Sequence, residues 1–353
     1  FKLYDTYGFP LDLTEDILRV KNIELDKDGF DKALNKQKIN ARKNWSGTGG
    51  SATEKVWFDI VSNSGTTDFL GYENNKSKAI VEKIVIKDST VESINAGEEA
   101  ILILNQTTFY AESGGQIGDT GTISIEDVIF EVRDTKKKLG LHLHYGQLKK
   151  GTLNTGDNVS LSINVEKRDS LRCYHSATHL LHQSLRDTLG DHVTQKGSLV
   201  SFDRLRFDFS HHKQLSNDEI NTIESNVNNI INSSYPVTTQ SMKPEDAIEK
   251  GALALFGEKY EDEVRVLSIG PENGKAYSVE LCGGTHAKNT NEISKFKITS
   301  NSSVAAGIRR IEALIGHDVE SFLLDQKQKY KDQGELIKKK EAKSNKLNED
   351  KKL

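Results

Sequence analysis

The stretch EKRDSLRCYHSATHLLHQSLRDTLGD, residues 166–191, decides how the second half of this chain folds. Its apolar side chains recur at helical spacing, and glycine is the residue that most often ends a helix, as Gly190 is placed to do. We predict one helix here, whose buried stripe comprises Tyr174, Thr178, Leu181 and Leu185. Because His175 and His179 are four residues apart, they share one face of that helix beside the stripe.

Upstream of this helix, short β-rich runs separated by Gly, Asn and Asp predict an antiparallel barrel. The runs are Lys78–Lys87, Glu99–Leu104, Val128–Val132 and Asn158–Val165. Between them lies FYAESGGQIGDTG, residues 109–121, which is too rich in glycine and polar residues to be a strand. Two interpretations stay open for this loop: a long hairpin turn, or bare backbone N–H groups that approach an anion or an RNA end.

Downstream of the helix, mixed helical and strand patterns predict an α+β domain. Ser216 and Glu219 form a capping-box pattern before an apolar stripe, which predicts a second helix. Alternation of Leu205, Phe207 and Phe209 indicates a β-hairpin. We expect one sheet to be completed by Val264–Ile269, Ala276–Leu281, Ile293–Thr299 and Ile308–Leu314.

The fold class that these patterns predict is a multidomain α+β protein. We expect four parts: a helical segment over residues 1–50, the β-barrel over 51–165, the α+β domain over 166–316, and a C-terminal helix and tail over 317–353. The Lys-rich tail is compatible with a solvated end and with a coiled coil that continues into further sequence.

Composition excludes several classes of protein. The 353 residues carry 48 Lys+Arg and 52 Asp+Glu, so the chain is not a strongly basic nucleic-acid binder, although a local basic groove is compatible with this balance. Two cysteines cannot form a disulfide framework and are typical of a cytoplasmic protein. No apolar run reaches the ~18 residues of a membrane span, so we expect no membrane role. The chain begins at Phe1 and its only methionine is Met242, so we expect a piece of a longer protein.

Four side chains in two clusters have the chemistry of a metal site. The first cluster is His175 and His179, and the second is CGGTH, residues 282–286, where two glycines allow a tight reversal. Three imidazoles and one thiolate favour Zn²⁺ over Mg²⁺ or Ca²⁺, so we predict one zinc ion per chain. Cys173 and His182 are competing ligands, although His182 is expected to support a ligand or to stack.

The residues beside these donors argue against two classes of zinc enzyme. Ser176 follows His175, at the position where a His-Glu-x-x-His protease has its general base. A zinc deaminase would need a glutamate two residues after its histidine and a paired Cys-x-x-Cys, and this sequence has neither. A site closed by four protein ligands is structural, whereas a catalytic site leaves a position for water or substrate.

Seven segments of the chain resemble the alanyl-tRNA synthetase family. They are FKLYDTYGFPLD at 1–12, FYAESGGQIGDTG at 109–121, HSATHLLH at 175–182, QKGSL at 195–199, RLRFDFSH at 204–211, CGGTH at 282–286 and AAGIRRIEA at 305–313. The resemblance runs from the end of the tRNA-recognition region through the editing domain. It implies that the ATP-dependent aminoacylation motifs and the C-terminal domain of the parent lie outside this piece, which should not aminoacylate.

The resemblance implies that this piece hydrolyses the ester of mischarged Ser-tRNA(Ala) and Gly-tRNA(Ala). A synthetic pocket rejects an amino acid that adds a hydroxyl, or a smaller one, by only about 10–200-fold, so a second site must complete the selection. The implied zinc ligands are His175, His179, Cys282 and His286, and the implied editing-pocket residues are Thr178, Gln195 and Ser198.

We expect the acceptor end of tRNA(Ala) to bind at Gly114 and Gly115 of the glycine loop and at Arg309 and Arg310. Adjacent strand residues point to opposite faces, so one of the two arginines is expected to form an ordinary salt bridge. Zinc can lower the pKa of a bound water or anchor the substrate's amino group, and four protein donors favour the second role.

Two other functions remain compatible with the sequence. One is a zinc-stabilised RNA-binding module without catalysis, and the other is a free-standing deacylase. Residues 1–45 match the domain that precedes editing in the synthetase, which argues against the free-standing deacylase.

Overall fold

The computed structural model of this chain describes residues 26, 29–30, 32–33, 51–253 and 263–350. The chain divides into two compact units, Phe1–Phe58 and Asp59–Leu353. The helical segment predicted over residues 1–50 lies almost wholly outside the described residues. The division into four parts stays a prediction.

Helix α1, Ser51–Ser64, was not predicted from the sequence. Val56, Trp57, Ile60 and Val61 recur at helical spacing within it, and Trp57 and Ile60 are buried. The helix is hard to predict from the sequence because its apolar pattern is short and a glycine-rich stretch precedes it.

A closed antiparallel barrel follows α1. The strands between residues 68 and 163 are β1 Asp68–Phe69, β2 Lys76–Ile86, β3 Ser89–Val91, β4 Ser93–Asn95, β5 Glu99–Leu104, β6 Gln106–Thr107, β7 Gly121–Ile125, β8 Val128–Lys138, β9 Leu141–Lys150, β10 Thr152–Asn154 and β11 Asn158–Ile163. Six of them form the ring β11-β7-β8-β9-β5-β2, which closes because β11 also pairs with β2. Val81, Leu102, Phe130 and Leu148 fill its interior. The predicted barrel is confirmed.

The second half is an α+β arrangement, as predicted. Its helices are α2 Val165–Leu189, α3 Asn217–Asn232, α4 Pro244–Glu249 and α5 Gly316–Asp350, with a 3₁₀ helix at Thr290–Ile293. Its strands are β12 Gln195–Val200, β13 Leu205–Ser210, β14 Val237–Met242, β15 Val264–Ile269, β16 Ser278–Leu281, β17 Phe296–Ala305 and β18 Ile308–Ile315. The capping box of Ser216 and Glu219 is present at the start of α3.

The prediction of one sheet in this half is wrong. The strands form two sheets, β12-β13-β18-β17 and β14-β15-β16. The 3₁₀ helix and Ser294, whose φ is 67°, redirect the chain before β17. The hairpin of β17 and β18 therefore pairs with β13 and not with β16.

Helix α2 packs on strands of both sheets, which places its histidine face between them. Asn164 caps the helix by accepting a hydrogen bond from the Lys167 backbone N–H at 3.0 Å. At the other end the chain turns at Gly190, whose φ is 111°. Leu181 and Leu185 are buried in the core that the helix shares with the sheets.

Helix α5 is the predicted C-terminal helix. It buries Val319 near its start and exposes Leu324 and Tyr330 farther along. Over the ranges that the structure describes, no helix combines the length and apolar character needed to cross a membrane.

Candidate metal centre

Four side chains from two elements converge on one point. Helix α2 supplies His175 and His179, and the loop after β16 supplies Cys282 and His286. Their ligand atoms all lie within 4.8 Å of one another. The structure thus brings together the four residues that the sequence names as metal ligands.

Two donor separations match those around a tetrahedral metal ion, and the whole group spans up to 4.8 Å. The Cys282 Sγ lies 3.5 Å from His175 Nε2 and 3.3 Å from His286 Nε2. Donors bound tetrahedrally at about 2.0–2.3 Å are separated by about 3.3–3.8 Å. His179 Nε2 is buried and finds no hydrogen-bond partner among the described residues, so a bound cation would satisfy it. The chemistry of the donor set and the two short separations therefore suit a divalent metal that prefers nitrogen and sulfur.

Each imidazole of the cluster is held at its other ring nitrogen. The partners of Nδ1 are Gln116 Oε1 at 2.8 Å for His175, Glu280 Oε2 at 3.0 Å for His179, and Ser176 Oγ at 3.3 Å for His286. The carbonyl and carboxylate oxygens accept a hydrogen bond from Nδ1–H, which leaves the Nε2 lone pair facing the cluster.

The electrostatics of the cluster favour a thiolate. Burial opposes ionisation of Cys282, but the neighbouring imidazoles outweigh it and hold the pKa of the thiol well below its usual range. Burial lowers the pKa of His286 to about 3, so this imidazole is neutral. At His179 burial also favours the neutral ring, yet Glu280 and Cys282 raise its pKa to about 10. Metal binding would displace that proton.

The loop that carries Cys282 and His286 fits closely against helix α2. A Cβ at Gly284 would overlap the ring of His175, whereas a Cβ at Gly283 would meet only Tyr72 Oη, at 3.9 Å. Tyr72 donates a hydrogen bond to the Gly283 carbonyl at 2.6 Å, and the Arg265 guanidinium lies 3.9 Å from the Tyr72 ring centre. Glycine at 284 is therefore needed for the imidazole and the loop to approach each other.

The glycine loop, residues 109–121, packs against strand β12. Val200 N–H donates to the Gly115 carbonyl at 2.7 Å, and Ile117 N–H donates to the Val200 carbonyl at 3.1 Å. A Cβ on Gly115 would lie 2.7 Å from the Ser198 carbonyl oxygen, whereas one on Gly114 would meet nothing within 4 Å. The strands that flank the loop are not paired with each other, since β6 pairs with β1 and β7 pairs with β8 and β11, so the loop is not a hairpin turn. The RNA contact of the two glycines stays a prediction.

The editing-pocket residues named from the sequence lie on α2 and β12. The Thr178 hydroxyl is buried and donates to the Tyr174 carbonyl at 2.9 Å, so its hydrogen is committed within the helix. Gln195 pairs with Phe209 across β12 and β13, and Ser198 pairs with Phe207. The catalytic roles of Thr178, Gln195 and Ser198 stay predictions.

The two arginines of β18 have different partners. Arg310 donates to both carboxylate oxygens of Asp208, each at 2.7 Å, and is the salt-bridge partner that alternation requires. Arg309 donates to Asn301 Oδ1 at 2.9 Å. A contact of either arginine with tRNA stays a prediction.

The competing ligands lie outside the four-donor group. Cys173 Sγ donates to the Glu292 carbonyl at 3.5 Å, and burial raises the pKa of this thiol to about 12. His182 Nδ1 lies 3.1 Å from Glu280 Oε2, and its ring centre is 5.3 Å from that of Phe207. The two rings are tilted by 46°, so His182 does not stack on Phe207, and its support of a ligand stays a prediction.

Four residues of the site were missed from the sequence: Gln116 and Glu280, which hold imidazoles, and Tyr72 and Arg265, which hold the ligand loop. Glu280 lies two residues before Cys282 on a strand. A charged residue on the buried face of a strand needs a partner, so this position could have indicated a residue that supports the site. The sequence around Gln116 gives no such indication, because a polar, glycine-rich loop is equally typical of a solvent-exposed segment.

A cavity of about 1140 Å³ adjoins His286. Tyr72, Arg265, Thr285 and Lys288 contribute to its walls. Of the four residues in the cluster, His286 lines this cavity, so a group bound in the cavity would meet the cluster at His286.

Comparison with known proteins gives two family matches and several close relatives. Residues 1–167 match the family described as tRNA synthetases class II (A), and residues 264–312 match the threonyl and alanyl tRNA synthetase second additional domain. A protein named alanine--tRNA ligase from Parvibaculum lavamentivorans is 54% identical over 92% of this chain and 37% of its own length. Proteins of the same name from Chelativorans sp. and Sphingopyxis alaskensis are 49% and 54% identical. The chain spans 37–39% of the length of these relatives.

Proposed function

Because this chain belongs to the alanyl-tRNA synthetase family, we propose that it contains the editing site, which hydrolyses Ser-tRNA(Ala) and Gly-tRNA(Ala). The observation that carries this proposal is the convergence of three imidazoles and one thiol within 4.8 Å beside an open cavity. We also propose that the chain binds the acceptor end of tRNA(Ala) and acts in the cytoplasm. The parent protein, in this proposal, ligates alanine to tRNA(Ala) with ATP.

The metal that we propose for the site is Zn²⁺, one per chain. His175, His179 and His286 would hold it through Nε2, and Cys282 through its thiolate. When bound, the ion supplies Lewis acidity that lowers the pKa of a coordinated water or anchors the substrate's amino group.

The chain's own residues prepare the site for ester cleavage. Glu280 and Gln116 keep two imidazoles in the orientation that turns Nε2 inward. Tyr72 and Arg265 line the cavity and donate hydrogen bonds to carbonyls of the loop that carries Cys282. A preorganised polar site of this kind accelerates hydrolysis because its dipoles need no rearrangement as charge develops. The products are the free amino acid and the 3′-terminal hydroxyl of the tRNA.

The test is hydrolysis of three substrates, Ser-tRNA(Ala), Gly-tRNA(Ala) and Ala-tRNA(Ala), by the full 353-residue chain. We expect turnover of the first two and little of the third. Cys282→Ala should reduce turnover by about 100-fold or more with near-normal fold and tRNA binding, since the metal loses its thiolate ligand. Cys173→Ala is the matched control and should retain both zinc and activity.

Three results would contradict the proposal. Equal or absent turnover of all three substrates contradicts editing. The RNA-binding module without catalysis predicts instead that Cys282→Ala loses thermal stability and tRNA binding together, which the same variant tests. Zinc content far below one ion per chain contradicts the assigned ligands.

A further inference from the structure

We propose that Gln116 is a positioning residue for the metal site: its side chain selects the ring tautomer of His175 and joins the two halves of the donor set. This inference rests on the proposed metal site. It adds that a loop of the β-barrel, outside the segments that supply ligands, sets the geometry of those ligands.

Three hydrogen bonds support this role. Gln116 Oε1 lies 2.8 Å from His175 Nδ1 on helix α2. The same oxygen accepts from the Thr285 backbone N–H at 3.0 Å, and Gln116 Nε2 donates to Thr285 Oγ1 at 2.8 Å. Thr285 directly precedes His286, so one amide group connects the helix ligands with the loop ligands.

The Thr285 backbone N–H fixes which end of the amide faces His175, because this N–H can only donate and its partner must be the amide oxygen. The oxygen that it reaches, Oε1, is also the atom that faces the imidazole, and an oxygen can only accept. His175 must therefore carry its proton on Nδ1, which leaves the Nε2 lone pair 3.5 Å from Cys282 Sγ. The opposite tautomer would leave two acceptors facing each other and would place a proton where the metal binds.

These hydrogen bonds are buried, so losing one of them has a large free-energy cost. Gln116 has no exposed surface, and His175 is only 5% exposed. A hydrogen bond lost in such surroundings leaves a polar group without water to replace it. The role thus cannot be taken over by solvent.

The barrel loop holds Gln116 firmly. On one side the loop is bonded to Val200 of strand β12 through Gly115 and Ile117. On the other, Asp119 forms a buried ion pair with Arg168, two helical turns before His175 on α2. Because Asp119 and Gln116 are three residues apart, the loop is anchored to the same helix at two points.

The test compares zinc affinity of Gln116→Leu and Gln116→Glu in the full chain, measured by competition with a chromophoric chelator. Leucine removes the acceptor, and we expect zinc affinity to fall about 10–100-fold. Glutamate keeps an oxygen toward His175, as Glu280 does for His179, so affinity should stay within about threefold of the original protein. Gln106→Ala is the matched control, because the Gln106 amide bonds the Lys78 carbonyl in the barrel.

A spectroscopic readout separates positioning from general loss of stability. In zinc-free protein, ¹⁵N NMR of His175 should show the proton on Nδ1, and in Gln116→Leu a mixture of tautomers. A His175 ring that carries its proton on Nε2 and none on Nδ1 in the original protein overturns the inference even if the leucine variant fails to fold. Equal zinc affinity of the leucine variant also overturns it.

These outcomes are independent of the editing proposal. If the original chain binds zinc but hydrolyses no aminoacyl-tRNA, editing fails and the role of Gln116 is still decided by affinity and tautomer. If the leucine variant keeps its affinity while the original chain edits, only the role of Gln116 fails.

Discussion

Replacing Arg168 by methionine should strongly destabilise the chain. Arg168 is fully buried and Asp119 is 2% exposed. The guanidinium donates to both carboxylate oxygens of Asp119, to the Gly71 carbonyl at 2.7 Å and to the Thr108 carbonyl at 2.8 Å. Methionine fills a similar volume but leaves all of these acceptors without the arginine.

The size of the effect follows from the burial. Removing one partner of a buried ion pair costs about 3–5 kcal/mol, because the remaining carboxylate is neither hydrated nor paired. The Asp119 carboxylate keeps one bond, from the Tyr110 backbone N–H at 2.7 Å, so we place the loss near the lower half of that range. At about 2–4 °C per kcal/mol the melting temperature should fall by roughly 10 °C.

The measurements are urea unfolding and thermal unfolding of the zinc-free chain, both followed by circular dichroism. Arg172→Met is the matched control on the same helix, since its ion pair with Asp169, at 2.8 Å, involves a carboxylate that is 57% exposed. Such exposed pairs contribute at most about 1 kcal/mol. A loss in Arg168→Met no larger than in Arg172→Met would refute the reasoning.

A double variant tests the mechanism itself. Arg168→Met with Asp119→Leu removes both charges, so it should be more stable than Arg168→Met alone. If the second substitution adds its own full cost, the two residues are not coupled, and an unpaired buried carboxylate is not the cause of the loss.

Three further predictions follow from buried groups, loop contacts and the metal. Burial lowers the pKa of His142 to about 4 and of His144 to about 3, so both stay neutral in the folded chain while unfolding lets them protonate below about pH 6.5. At pH 5 each histidine should therefore lower the free energy of unfolding by about 2 kcal/mol. In His144→Gln the free energy of unfolding should decrease less between about pH 7 and 5 than in the original chain, and an unchanged pH dependence contradicts this. Gly284→Ala should lower zinc content because its methyl group meets the His175 ring, whereas Gly283→Ala should not, and equal zinc content of the two variants would refute the packing argument. Treatment with a chelator should abolish ester hydrolysis and added Zn²⁺ should restore it while tRNA binding persists; hydrolysis that survives metal removal would be the contrary result.

Local patterns were enough to predict most of the elements near the site. Helix α2 begins at Val165, one residue before the predicted start, because Asn164 caps it. Strand β5 matches its predicted run, since alternation and bounding turns are properties of neighbouring residues. Strand β8 instead continues to Lys138, well past the predicted Val132. A bulge between Val132 and Asp134 shifts its register, and the strand then pairs with β9 through residues too polar to indicate a strand.

The residues that we propose as metal ligands and the residues that hold them differ in how far the sequence predicts them. His175 and His179 share a helical face by spacing alone, so their proximity is a local property. Gln116 lies 59 residues from His175 and 169 from Thr285, and only the docking of the barrel loop brings it to them. A polar residue among glycines has the same local pattern whether it faces water or a buried imidazole. Its role becomes visible when every hydrogen-bonding atom of a buried group is assigned a partner, which requires the tertiary structure.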